Sequence, residues 1–277
     1  MNARKPSYLT WEQLYRESDL EKDSPAAVGG ILSAETLAAA YQWGFFPWPP
    51  GDPDIYVELE DRYGYLVESG MIKRLDMDQK KMRLPWWNPD PRSVIFQHTL
   101  HISRSLRKRI RQSKWTTTLD EAFDEVVDLC RRGNPLSWIT PEMGAAYREL
   151  QVRGRAHSIE VWEGNKLVGG MYGVVTGAVF TGESMFSLRT DASKVAMVDF
   201  GERFFSQGGM LIDTQMPNEH LCSMGAVNIS RQHFVKRLED SRTTMVTLDP
   251  NRLPVNRLAT YLVNSERAED SPIGQRD

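Results

Sequence analysis

His157-Ser158-Ile159-Glu160-Val161-Trp162, the turn Glu163-Gly164-Asn165, Leu167 to Val175, the turn Thr176-Gly177, and Ala178 to Gly182 make up the stretch on which the fold turns. The first segment alternates in the period of two that a half-buried strand requires. The two short turns then predict hairpins, hence an antiparallel meander of three strands. Gly169-Gly170 and Gly173 interrupt the middle strand. Glycines weaken a strand there unless a bulge or a close approach needs them.

Glu183-Ser184-Met185-Phe186-Ser187 ends the third strand, and a helix is expected over 192–206 with Val195, Phe200 and Phe204 inward. After the Gly208-Gly209 break, Met210-Leu211-Ile212 reads as a buried strand ending in Asp213-Thr214-Gln215. Residues two apart on a strand share a face, so a carboxylate and an amide are expected side by side. A carboxylate can orient an amide whose oxygen accepts a proton from an amine; equally, the pair can merely satisfy loop backbone. Asn218 to Gly225 reads as a short helix or turn, and Ser230 caps a helix carrying Phe234, Val235 and Leu238.

Upstream, Asp120 is expected to cap a helix with Phe123, Val126, Val127 and Cys130 inward, stopped at Gly133. Thr140-Pro141-Glu142 opens another, buried through Met143, Ala146, Tyr147 and Leu150. Between His101 and Trp115, Ile102, Leu106 and Ile110 mark the core side of a helix. Arg104, Arg107, Lys108, Arg109, Arg111 and Lys114 fill the rest without one acid. That surface suits phosphates, RNA especially, or is a solvated basic face. Val94 to Phe96 reads as a buried strand. The element order gives an α+β class with helices packed on one mainly antiparallel sheet.

Residues 1–90 are expected to form a small N-terminal domain, 91–250 the larger one, and 251–277 a polar tail that frays. Ser33 caps a helix ended by Gly44. Phe45 to Pro53 and Trp86 to Arg92 are proline-interrupted aromatic loops. Within 54–85, Ile55, Val57 and Leu59 alternate with polar residues, and Tyr63, Tyr65 and Val67 do so again, which predicts a hairpin.

Bulk properties narrow the classes. A net charge of −3 over 277 residues confines any nucleic-acid surface to a patch. No run is apolar enough to span a bilayer, and the first twenty residues lack the apolar centre of a secretory signal. Cys130 and Cys222 have no CxxC or Cys/His spacing, so free thiols, no metal and a cytoplasmic location are expected. There is no GxxxxGK[ST] and no GxGxxG opening a helix. Ser184, His157 and Asp213 lack a nucleophile-elbow pattern.

Several collinear blocks carry a family resemblance. Ala40-Tyr41-Gln42-Trp43-Gly44-Phe45-Phe46-Pro47-Trp48, Trp86 to Arg92, Leu100 to Ser105, Trp138-Ile139-Thr140 and Gly154 to Trp162 come first in chain order. Leu167 to Val174, Gly182 to Ser187, Ala192-Ser193-Lys194 and Leu211 to Gln215 follow. Over about residues 29–248 the chain resembles the bacterial leucyl/phenylalanyl-tRNA–protein transferases. The resemblance implies a larger domain of acetyltransferase-like fold. It implies transfer of Leu, Phe and less readily Met from aminoacyl-tRNA to acceptor proteins beginning with Arg or Lys. The products are marked for degradation by the N-end rule pathway, and no cofactor is used.

Carried over residue by residue, the resemblance makes Asp213 and Gln215 a relay. It makes Trp48, Trp138, Met171, Met197, Phe200, Phe204 and Ile212 the apolar amino-acid pocket. Glu183 would hold the aminoacyl-adenosine end. The helix with Arg104, Arg107, Lys108, Arg111 and Lys114 would grip the acceptor stem. Without the resemblance, the Met and Phe residues are ordinary core. The segment 54–85 departs from the family pattern and leaves the shape of the N-terminal region open. Two alternatives keep the fold and change the activity: an acetyl-CoA-dependent N-acyltransferase, or a non-catalytic tRNA-binding module. Against the first, Ser187 to Asp191 has no glycine for a pyrophosphate turn.

Overall fold

The computed structural model describes residues 9–17, 23–76, 84–132 and 137–261. In chain order its elements are α1 (Trp11–Glu17), β1 (Ala27–Val28), α2 (Ala34–Tyr41), β2 (Phe46–Pro47), α3 (Pro53–Glu68), β3 (Lys73–Arg74), β4 (Pro85–Trp87) and β5 (Arg92–Ile95). They continue with α4 (Arg104–Gln112), β6 (Thr116–Leu119), α5 (Phe123–Arg132), α6 (Pro141–Val152), β7 (Ala156–Glu163), β8 (Lys166–Thr176) and β9 (Val179–Ser187). Then come α7 (Ala192–Ser206), β10 (Leu211–Gln215), α8 (Glu219–Ser223), β11 (Val227–Ile229), α9 (Arg231–Ser241) and β12 (Leu253–Pro254).

The expected meander forms, with β7 and β8 each extending a residue beyond both ends of their sequence signals and β9 running Val179–Ser187. It lies inside an eight-stranded sheet of order β11-β5-β10-β9-β8-β7-β6-β12. Every pairing in that sheet is antiparallel except β9 with β10, which the crossover helix α7 makes parallel. A smaller sheet runs β2-β4-β1-β3. The class is α+β.

Both faces of the large sheet are covered, and strand alternation deals side chains to each. Leu211 and Tyr172 join an apolar cluster with α2, α5, α6 and α9; Ile212 and Met171 join another with α4 and α7. The first cluster runs from Leu14 to Leu238 and takes in both sheets. Among the described residues, no helix is long and apolar enough to cross a membrane.

Two bulges shape one end of the sheet. Between β8 and β9 the register passes from Tyr172↔Ser184 to Gly173↔Gly182, so Glu183 is the extra residue. Between β10 and β5 it passes from Asp213↔Val94 to Gln215↔Ser93, so Thr214 is extra and Gln215 stands at φ +63°. A bulge breaks the period of two and re-aims the next side chain. Gly173 lies opposite the first bulge, where a Cβ would come 2.1 Å from the Thr181 carbonyl oxygen. The strand glycine is there for a close backbone approach.

Four expectations are corrected. The hairpin expected in 54–85 is instead the helix α3: Asp52 accepts from the Asp54 N–H and Pro53 takes the first helical position. Its inward side chains are Tyr56, Leu59, Tyr63, Leu66 and Val67, a spacing of three and four, while Ile55, Val57 and Tyr65 stay exposed. The helical period outweighed a chance alternation; residues 77–83 lie outside the described residues. The tail expected from 251 does not begin there. Leu253–Pro254 pairs with β6, Val255 and Leu258 are fully buried, and Arg203 donates to the Asp249 and Asn251 carbonyls. Residues 262–277 lie outside the described residues.

Asp120 does not cap α5. Its φ is +60°, and its carboxylate accepts from the Ser158 N–H at 2.8 Å and meets His157 Nδ1 at 2.7 Å. Gly133 lies outside the described residues. The basic helix is shorter than 101–115, because Ser103 caps it and Ser113 ends it.

Gly173→Ala would force β9 away from β8 at the bulge. It is expected to lower the unfolding free energy by about 1–3 kcal/mol, read by urea denaturation; unchanged stability would mean that the strands have room to spare.

Candidate active site

The two bulges bring Glu183 and Gln215 together from neighbouring strands. Gln215 Nε2 donates to Glu183 Oε1 at 3.1 Å. Tyr41 of α2 donates to the same oxygen at 2.6 Å, and Tyr147 of α6 donates to Oε2 at 2.8 Å. Both tyrosines are buried, and a buried phenol needs a partner. Burial pushes the Glu183 carboxyl up to about 7, against the pull of the Tyr41, Tyr147 and Gln215 donors.

Asp213 is placed differently from the expectation. Its carboxylate does not sit beside the Gln215 amide; it touches only the Gln215 backbone N–H, at 2.9 Å. The bulge after Asp213 defeats the period of two and sends the Gln215 side chain to Glu183. Asp213 is fully buried and gripped in a fork by Arg92, Nε to Oδ1 at 2.7 Å and Nη2 to Oδ2 at 2.6 Å. Thr181 donates a further bond to Oδ2. The remaining Arg92 nitrogen, Nη1, donates to the Gly44 carbonyl, and the guanidinium lies between the Phe46 and Phe234 rings. Arg92 thereby ties the aromatic loop after α2 to the end of β10.

A cavity of about 320 Å³ opens beside this network, at the small end of the range for ligand sites. Trp48, Trp138, Met171, Met185 and Met197 supply its apolar wall; Glu183, Gln215 and His220 supply polar groups. His220 is held below its ordinary value by burial and by the nearby Lys194. The structure thus brings together Trp48, Trp138, Met171, Glu183, Met197 and Gln215. It does not bring Phe200, Phe204 and Ile212 to the wall. They are fully buried behind it, where Phe180 and Phe200 lie 4.0 Å apart between ring centres.

On the basic helix, Ile102, Leu106 and Ile110 are buried. Arg104, Lys108 and Arg111 form an exposed stripe at helical spacing, with Lys114 exposed beyond it. Arg107 is half-buried and its Nε donates to the Ile102 carbonyl. Arg109 pairs with Asp191, the residue preceding α7, at 2.8 Å.

Tyr41, Tyr147, Arg92 and Thr181 were given no place in the site from sequence. A signal existed for the tyrosines: two sit on the core faces of helices, where each hydroxyl demands a buried acceptor. Nothing in the sequence pairs Arg92 with a residue 121 positions away.

Comparison with known proteins bears on the same residues. A family model described as leucyl/phenylalanyl-tRNA protein transferase matches residues 94–239. A protein of that name from Proteus mirabilis (strain HI4320) is 42% identical over 223 residues, covering 80% of this chain and 84% of its own. One from Azotobacter vinelandii is 43% identical over 212 residues, covering 75% and 80%. One from Hydrogenovibrio crunogenus is 40% identical over 246 residues, covering 87% and 85%.

Arg92→Met would leave Asp213 as a buried charge without its partner. A loss of about 3–5 kcal/mol in unfolding free energy is expected, and Arg92→Met/Asp213→Asn is expected to recover part of it. Equal losses in the single and double variants, measured by urea unfolding, would show that the pair is not coupled.

Proposed function

The chain belongs to the leucyl/phenylalanyl-tRNA–protein transferase family, and we propose that it moves Leu or Phe from aminoacyl-tRNA onto the N-terminal amine of an acceptor protein. In finer detail, we read Met as a poorer donor and proteins beginning with Arg or Lys as the acceptors. The reaction then lies in the cytoplasm, where charged tRNA is made, and marks the acceptor for degradation through the N-end rule pathway.

One observation supports this most: a Met- and Trp-lined cavity of about 320 Å³ whose wall also carries Gln215 and Glu183. An aminoacyl ester is already activated, so the protein supplies mainly position and a place for a proton. The thioethers of Met171, Met185 and Met197 are polarizable and adapt to side chains as different as those of Leu and Phe. The Gln215 carbonyl oxygen accepts a hydrogen bond from the attacking amine as the carbon–nitrogen bond forms and the ester oxygen of the tRNA leaves. Asp213, behind the wall, holds the Gln215 backbone and balances the charge of Arg92. Phe200, Phe204 and Ile212 back the pocket from one layer away. Arg104, Arg107, Lys108, Arg111 and Lys114 meet the phosphates of the acceptor stem without reading its sequence.

The test is leucyl or phenylalanyl transfer to a peptide with N-terminal Arg, followed by mass spectrometry. Gln215→Ala is expected to lower the rate by about two orders of magnitude with tRNA affinity kept. Salt-dependent tRNA binding without any transfer would favour the non-catalytic module; transfer from acetyl-CoA instead would favour the N-acyltransferase.

A further inference from the structure

We propose that Tyr41 and Tyr147 are positioning residues whose hydroxyls, acting through Glu183, decide which way round the Gln215 amide stands. The carboxylate of Glu183 has three donors around it, from α2, α6 and β10: the Tyr41 hydroxyl, the Tyr147 hydroxyl and Gln215 Nε2. The two phenol oxygens also lie 2.9 Å apart, so a hydroxyl can donate to its neighbour instead; an ionised Glu183, 2.6 and 2.8 Å from them, draws both protons to its own oxygens. An ionised carboxylate only accepts, whereas a protonated one has a proton to give. With Glu183 ionised, the amide must present Nε2 to it, and the carbonyl oxygen Oε1 faces the other way. With Glu183 protonated, its hydroxyl can donate to Oε1, and the reversed amide is no longer excluded. The two phenol donors favour the ionised form and oppose the cost of burial, which still leaves the carboxyl up at about 7.

Other groups bear on Glu183 from each packed element. Tyr172 on β8 lies in the same cluster and raises no donor bond to the carboxylate; its ring meets Tyr147 at 5.4 Å. Cys130 on α5 is buried near Ser184 and held neutral, its thiol pushed up to about 12. Asp213 on β10 acts against ionisation, and its charge is matched by Arg92 from β5. His220 faces the cavity from α8. Burial pushes Glu183 toward its neutral form, and the two tyrosines, with Gln215, pull the other way. The consequence for transfer rests on the reaction proposed above; the orientation of the amide does not.

The experiment follows the Gln215 side-chain amide by NMR of glutamine-labelled protein from pH 5.5 to 9, alongside transfer assays over the same range. In the wild-type chain the amide signal should shift with a midpoint near 7. Tyr41→Phe and Tyr147→Phe should each raise that midpoint by about half to one pH unit. The acidic limb of kcat should move up equally. At pH 7 that is a loss of about two- to fivefold, recovered by pH 9, with KM for aminoacyl-tRNA within about twofold. A rate loss equal at every pH, or an unmoved midpoint in both variants, overturns the proposal. Glu183→Gln should abolish the pH response of the Gln215 amide. If the response persists there, it belongs to His220 and the proposal falls, even should the phenylalanine variants fail to fold. Midpoints that shift as expected in a chain without transferase activity would leave the clamp standing and remove the proposed reaction.

Discussion

A buried guanidinium holds this protein's working end together. Arg92 and Asp213 are both withdrawn from water, and a pair like that is tolerated only when every charged edge is met. Here they are: two forked bonds between the partners, the Thr181 hydroxyl and the Gln215 N–H on the acid, the Gly44 carbonyl and two aromatic faces on the base. Because these groups come from the loop after α2, from β5, β9, β10 and α9, no one of them can shift without exposing an unmet charge. The pair fixes where the aromatic loop carrying Trp48 stands relative to the strand carrying Gln215.

Upon that frame the two bulges do the aiming. A regular ladder would have dealt Glu183 and Gln215 by strict alternation. An extra residue on each strand frees them from it, so that they meet at 3.1 Å beside the cavity. The parallel pairing of β9 and β10 matters too: both chains run toward the same end, so both bulges fall there. The Glu183 carboxylate therefore comes from the interior of a strand, with Tyr41 and Tyr147 reaching it from two helices on one face of the sheet.

Chemistry of this kind asks for little beyond placement. The ester of an aminoacyl-tRNA carries its own driving force, and a cavity whose apolar wall spares only a few polar groups leaves few ways for the reactants to lie. The basic stripe of α4 stands apart from this cavity. It is exposed and carried by a helix held through three buried aliphatic residues.

Local signals decided the meander, the helices over 192–206 and 141–152, the caps at Ser33, Thr140 and Ser230, and the buried strand before Asp213, because turn chemistry and apolar period act within a dozen residues. The collinear blocks likewise pointed to the family and to Trp48, Trp138, Met171 and Met197, which line the cavity. Local signals failed where two periods competed, as in α3, and where burial is supplied from afar, as for Val255 and Leu258. They failed also at Asp213 and Gln215, where a strand was assumed regular and is not. The bulges, the Arg92 fork and the two phenols on Glu183 join residues up to 142 positions apart. Only the packed chain could decide them, since a buried polar group chooses its partner by proximity in space.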